Sequence, residues 1–191
     1  MEEAYEYLRA NFEITEADWE IIASKMVEKR FKKKDILLAP GEQENLLSFL
    51  SKGMLRFFIP TEEDKDNDIT YDFMFEKKFF SADESFLTRT PSLYGIEALS
   101  DIILYQFTYD DLQDIYKKTG TADRIGRIAH ERLFLERSHR LYTFLRFSAK
   151  ERYENLLKEN PTLIQEIPQK YIASYLGITP QALSRIRRQI Y

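Results

Sequence analysis

Apolar residues fall at helical spacing near both ends of the chain and alternate with polar ones in between. From about Ala4 to Lys29 the pattern predicts helix: Trp19, Ile22, Ala23 and Met26 lie three, one and three residues apart. Thr15 followed by Asp18 has the form of a capping box opening such a helix. The texture then changes. Asp35-Ile36-Leu37-Leu38-Ala39 is a short apolar run closed by the turn signal Pro40-Gly41. Leu46 to Leu50 runs into Gly53, and Met54 to Ile59 stops at Pro60. Thr61 to Asp68 is a strongly polar hairpin tip, and Ile69 to Phe75 alternates as a half-buried strand does. Two further strands are expected at Ile96–Ala98 and Ile102–Phe107. Short strands at this spacing predict a small antiparallel barrel or sandwich.

The helical period returns at Thr108-Tyr109-Asp110-Asp111, a second capping-box start, with helix expected through about Lys118. Gly120-Thr121 restarts a long helix through about Phe147. Within it Ile128, Leu135 and Tyr142 recur every seventh residue, and Phe134, Leu141 and Leu145 form a neighbouring stripe. A helix with two apolar stripes has more than one neighbour, so one stripe is assigned to the barrel and the other to a second copy of the chain. The other reading is a single broad core face in a monomer. Gly126 allows close helix approach, at about 1 kcal/mol of helix propensity. Ser148 and Glu151 complete a third box, with helix through about Glu159. The organisation expected is α+β: an effector domain over residues 1–120, a dimerisation helix over 121–147 and a terminal domain over 148–191.

The terminal domain carries the most specific motif. Pro168 can open a helix, because the first helical position needs no N–H. Ile172, Ala173 and Leu176 share one face of it, and Gly177 sits where a left-handed residue ends a helix. Thr179 is a natural N-cap and Pro180 a natural first residue of the next helix. Leu183 and Ile186 then face inward, while Gln181, Ser184, Arg185 and Arg188 share the outer face. This is the layout of a helix-turn-helix, whose second helix enters the DNA major groove.

Charge supports that reading. The 191 residues contain 28 Lys and Arg against 32 Asp and Glu, a net charge of -4. Yet Pro168 to Tyr191 holds Lys170, Arg185, Arg187 and Arg188 and no acid. A cationic end on an acidic chain points to a local polyanion contact. The ordinary alternative is a helical hairpin with a basic solvated face. Hydrophobic residues at 43% and aromatics at 14% suffice for a packed core. With no cysteine, disulfides, thiolate metal sites and a cysteine nucleophile are excluded. The first residues lack an apolar signal core, and no apolar run reaches the roughly 20 residues of a membrane span, so a cytoplasmic protein is expected.

Barrel, long helix and terminal helix-turn-helix, in that order, resemble the Crp/Fnr family of transcription regulators. The resemblance rests on Asp35 to Glu42, Leu50-Ser51-Lys52-Gly53-Met54-Leu55-Arg56, Ile96-Glu97-Ala98-Leu99-Ser100-Asp101, Ile172 to Thr179 and Ser184-Arg185-Ile186. It implies a cyclic-nucleotide-binding-type, jelly-roll-like β-roll, a dimerisation helix and a winged helix-turn-helix. It also implies homodimers on near-palindromic double-stranded DNA and contact with RNA polymerase. In the family the position of Arg185 touches a base. On this basis Lys170, Thr179, Gln181, Ser184, Arg185 and Arg188 are the expected DNA-binding residues, and Ile128, Leu135 and Tyr142 the expected dimer interface.

The ligand cassette departs from the family pattern. Nucleotide-binding members have a Gly-Glu pair and then a phosphate-binding Arg just before the Ile-Glu-Ala strand. Here that Arg position falls near Ser92, the preceding segment has no glycine, and Asp83 and Glu84 add negative charge. A buried phosphodiester wants close backbone N–H groups and an Arg fork. A degenerate pocket is therefore expected, with no cofactor and no identified effector. Arg89 is read as a solvated loop residue; the alternative is a small-molecule sensor that binds nucleotide through Arg89 and acts through protein contacts. The second half of a wing is missing after Tyr191, so any wing comes from Leu163-Ile164-Gln165-Glu166. His130 and His139, nine residues apart, fall on opposite helix faces and make no shared metal site. No enzyme is expected, because no Gly-rich phosphate loop, HExxH or GxSxG is present.

Overall fold

The computed structural model describes residues 1–61, 68–159, 161 and 166–190. It opens with α1 (Glu2–Asn11) and α2 (Glu16–Lys25). Eight strands follow: β1 (Val27–Phe31), β2 (Ile36–Leu38), β3 (Leu46–Lys52), β4 (Met54–Ile59), β5 (Ile69–Phe75), β6 (Lys78–Phe80), β7 (Gly95–Ala98) and β8 (Ile102–Thr108), with α3 (Asp83–Thr88) between β6 and β7. Helices follow among the described residues: α4 (Tyr109–Lys118), α5 (Ala122–Arg146), α6 (Ala149–Glu159), α7 (Gln169–Tyr175) and α8 (Pro180–Ile190). The strands form two four-stranded sheets, ordered β1-β8-β3-β6 and β2-β7-β4-β5. The paired strands run antiparallel, for example Phe49 opposite Tyr105 and Phe57 opposite Ile96. The fold class is therefore α+β with an antiparallel jelly-roll-like domain.

The chain divides into two compact units, residues 1–68 with 72–128 and residues 129–191 with 69–71. In the first, Phe57 meets Phe80 edge-on at 6.2 Å and Tyr94 at 6.0 Å, ring to ring. Leu50, Leu55, Ile96 and Leu104 are fully buried around them. A second cluster joins Ala4, Leu8, Ile22, Phe49, Phe107, Ile115 and Ala122, so α1, α2, α4 and the start of α5 pack together over β3 and β8. Tyr5 stacks on Trp19 at 5.0 Å.

The helix starts follow their caps. Thr108 and Asp111 bond reciprocally, at 3.1 and 3.2 Å, and so do Ser148 and Glu151, at 3.3 and 2.8 Å. The Thr15 box is only half formed. Thr15 accepts the Asp18 N–H at 3.1 Å, but the Asp18 carboxylate turns away and accepts from Thr121 at 2.6 Å and the Gly120 N–H at 3.3 Å. Asp18 thereby ties α2 to the start of α5.

Other expectations need correcting. Helix through Lys29 fails: α2 ends at Lys25 and Val27–Phe31 is an edge strand. Its residues are nearly all exposed, so only its backbone pairing with β8 reveals it, and charged side chains suit an edge. Strand β6 and helix α3 were not anticipated, being three and six residues long. The segment 163–165 of the expected wing and the polar tip at 62–67 lie outside the described residues. Among the described residues no helix is long and apolar enough to cross a membrane.

Gly126 serves the close approach expected of it. A Cβ there would stand 2.7 Å from the Tyr116 hydroxyl and 3.3 Å from its ring. Gly126→Ala is expected to lose about 1 kcal/mol of stability, since overpacking outweighs the propensity gain. In a Tyr116→Phe background, where the nearest atom is gone and the ring edge is left at 3.3 Å, the same change should cost clearly less. Chemical unfolding of the four proteins checks this; equal effects in the two backgrounds would contradict it.

Candidate nucleic-acid interface and effector pocket

The turn between α7 and α8 is built by backbone geometry. Pro168 is the N-cap of α7 rather than its first residue, with its carbonyl accepting from Tyr171 at 2.9 Å. At the other end Leu176 is the C-cap and Gly177 takes φ +69°. The Ile178 N–H then bonds the Ala173 carbonyl at 3.0 Å, and the Gly177 N–H bonds Ser174 at 2.9 Å. This paired closure is a Schellman motif, which needs the left-handed residue that glycine supplies. Two residues on, the Thr179 hydroxyl accepts the Ala182 N–H at 3.2 Å, and α8 starts at Pro180. Ile172, Ala173, Leu176 and Leu183 are buried beneath the turn, with Ile167, Tyr153 and Leu156. Ile186 is half-buried.

The outer face of α8 is what this leaves. Gln181, Arg185 and Arg188 are exposed on one strip, and Ser184 borders it half-buried. Thr179 is exposed, with its hydroxyl engaged as the cap. Lys170 is exposed on α7, its ammonium 5.1 Å from the Tyr171 ring centroid. Arg187 is half-buried on another side of the helix.

The long helix presents a second surface. Ile128 is half-buried against the core of the first unit. Beyond it Phe134, Leu135, Leu141, Tyr142 and Leu145 are 58–77% exposed, too much apolar surface on one helix to be a core face. At 100° per residue they span one arc centred on Ser138, so the two stripes read from the sequence are the two edges of a single exposed apolar face. His130 and His139 are exposed, and among the described residues no cluster of three His, Cys, Asp or Glu could hold a metal ion.

The segment in which the family resemblance would place a ligand lies around α3. Ser92 is buried and closed on its own turn: its hydroxyl donates to Tyr94 O at 2.7 Å, and its N–H donates to Glu42 O at 2.8 Å. Arg89 is not the solvated residue expected. It is the left-handed C-cap of α3, at φ +61°, and is half-buried. Its Nη1 donates to Glu44 O at 3.0 Å and Phe86 O at 3.2 Å, and Nη2 donates to the Asn45 side chain. The guanidinium lies 4.3 Å from the centroid of the Tyr109 ring. Those contacts hold a non-glycine residue in a conformation it otherwise avoids. Those to Glu44, Asn45 and Tyr109 are long-range in sequence, which is why a loop reading missed them.

Glu44 completes the region. Its buried carboxylate accepts the N–H groups of Asn45 and Leu46 at 2.9 Å each, and that of Ala82, just before α3, at 3.5 Å. Burial pushes its carboxyl above the ordinary glutamate value, against the pull of those N–H bonds. The N–H group of the residue just before α3 therefore already faces an acid of the chain itself.

Residues 28–119 match the family model of the cyclic nucleotide-binding domain. No curated protein matches the sequence. Among solved structures, FixK2 from Bradyrhizobium japonicum superposes with a TM-score of 0.73 at 15% identity, over 86% of this chain and 84% of that one. A transcriptional regulator of the Crp/Fnr family from Eubacterium rectale gives 0.71 at 20% identity, over 96% and 87%. The c-di-GMP-responsive global regulator CLP of Xanthomonas campestris gives 0.70 at 12% identity, over 92% and 91%.

Proposed function

We propose that the protein is a sequence-specific DNA-binding regulator, a reading supported by the match of residues 28–119 to the cyclic nucleotide-binding domain model and by a fold like that of Crp/Fnr transcriptional regulators. The observation that carries this reading is the exposed strip of Gln181, Arg185 and Arg188 on α8, in a stretch free of acids. Thr179 and the Gly177 turn fix where that helix begins, which places Gln181 in its first turn. First-turn and next-turn side chains of a recognition helix are those that reach base edges. Arg185 offers a planar fork for guanine, Gln181 an amide for adenine, and Ser184 and Arg188 flank them. Lys170 stands on the neighbouring helix, where a phosphate contact is the natural role.

The protein acts as a homodimer through α5. The seam from Phe134 to Leu145 has the spacing of a coiled-coil face, with the half-buried Ser138 small enough for two helices to approach. Two copies of α8 then address successive major grooves about 34 Å apart on a near-palindromic site. RNA polymerase is the further partner that the family resemblance implies.

The β-roll holds no cyclic nucleotide. Ser92 replaces the phosphate-binding arginine and has its hydroxyl and N–H in use. Arg89, the other local cation, has both terminal nitrogens engaged and its plane stacked on Tyr109. A phosphodiester there would be a buried anion without a fork to pair it, at a cost of several kcal/mol.

Site selection from a random duplex pool tests the main reading. On the selected site, Arg185→Ala should cost about 1–3 kcal/mol and relax preference at one base pair. Lys170→Ala should weaken all sequences alike and lower the salt slope by about one unit. An unchanged base preference in Arg185→Ala would show α8 misplaced. Leu135→Glu should give monomer in sedimentation, because each copy brings an unpaired charge into the seam; a wild-type monomer at micromolar concentration would remove the dimer. Calorimetric titration with cyclic AMP and cyclic GMP should show no saturable heat. Micromolar binding lost in Arg89→Ala would reverse the pocket reading.

A further inference from the structure

One arginine gathers the ends of three helices in the second unit. Arg152 lies near the start of α6. Its Nη1 donates to the carbonyl of Phe147, just past the end of α5, at 2.7 Å. Its Nη2 donates to the carbonyl of Leu176, the C-cap of α7, at 2.8 Å. The guanidinium lies 4.7 Å from the centroid of the Phe144 ring. That ring also abuts the helix-turn-helix turn: a Cβ on Gly177 would stand 3.2 Å from its edge. Arg140, further back on α5, repeats the link, 3.7 Å over the Tyr175 ring, 5.2 Å from Phe144 and donating to Tyr175 O at 3.4 Å.

The placement is specific to arginine. Two carbonyls from different helix ends meet one rigid planar fork, so the geometry of the fork fixes their separation. Helix C-terminal carbonyls carry partial negative charge and favour a cation there. The Nε of Arg152 is buried without a hydrogen-bond partner. Leaving that donor unmet opposes the arrangement, so the two carbonyl bonds and the ring contact must hold the side chain against it.

Resting on the proposed dimeric, DNA-binding reading, we infer that Arg152 is a positioning residue for operator recognition. It sets the bearing of α7, and hence of α8, on the end of the α5 seam. The two-fold pairing along α5 converts that bearing into the separation of the two recognition helices. Arg152 therefore governs the spacing between half-sites and leaves the bases read within each half-site to α8.

The test is selection from duplexes in which both half-site sequence and spacer length vary, with thermal unfolding of each protein. Wild type should select one spacing. Arg152→Lys keeps the charge and loses the fork. It should keep the half-site sequence, spread over at least two adjacent spacings and bind about tenfold more weakly, the scale of one charged hydrogen bond. Arg185→Ala should do the converse, altering a base preference at fixed spacing. If Arg152→Lys does not fold, Phe144→Leu replaces it: that ring is 38% exposed, so the change spares the core while removing the surface under the guanidinium. A single sharp spacing and unchanged affinity in a folded Arg152→Lys or Phe144→Leu protein overturns the inference and leaves the proposed function standing. Selection of no site by wild type sinks the proposed function itself.

Discussion

The second unit depends on one backbone conformation. Gly177 at φ +69° ends α7, returns two N–H groups to the carbonyls of Ala173 and Ser174, and releases the chain toward Thr179. A side chain there would be strained by the left-handed dihedral and would press on Phe144 at 3.2 Å. Everything outward of the turn follows from it: the cap on α8, the burial of Leu183, and the exposure of Gln181, Arg185 and Arg188. The inward side follows as well. The Leu176 carbonyl reaches Arg152 only because the helix stops at that residue.

The parts of this architecture that were legible in the sequence are those with local causes. The caps at Thr108, Ser148 and Thr179 involve partners three residues away, so residue identity and spacing were enough. The Thr15 box failed halfway for the same reason. Its carboxylate found a partner about a hundred residues on, at Thr121, and no local pattern records that. Strand β1 escaped because an edge strand that buries almost nothing has no hydrophobic period to read. The exposed strip of Gln181, Arg185 and Arg188 on α8 was readable from helical periodicity. The roles of Arg89 and Arg152 were not, since each is defined by carbonyls that the fold delivers from other elements. The exposed apolar face of α5 lies between these cases. Seven-residue recurrence found Leu135 and Tyr142, but exposure shows that the partner stripe of Phe134, Leu141 and Leu145 belongs to the same face.

In the first unit, aromatic packing and closure of the pocket region act together. Phe57, Phe80 and Tyr94 fill the space between the sheets. Around α3 the polar groups are used internally: Ser85 accepts from the Glu44 N–H at 2.9 Å, Ser92 bonds its own turn, and Arg89 straps α3 to the residues before β3. Side chains already paired in this way gain little from an added anion. The buried carboxyl of Glu44 already takes the N–H groups of Asn45, Leu46 and Ala82, so an anion would have to displace it to reach them.

The stacked pair Tyr5–Trp19 gives the two units different optical signatures. Trp19 is the chain's single tryptophan, and it sits on α2 in the first unit, 5.0 Å from the Tyr5 ring. Its emission is a private reporter of whether the N-terminal helices remain docked. Far-ultraviolet ellipticity, by contrast, sums over the helices of both units. Should the two signals melt at different temperatures, the chain unfolds in more than one cooperative step, and the order of the steps can be read from unlabelled protein.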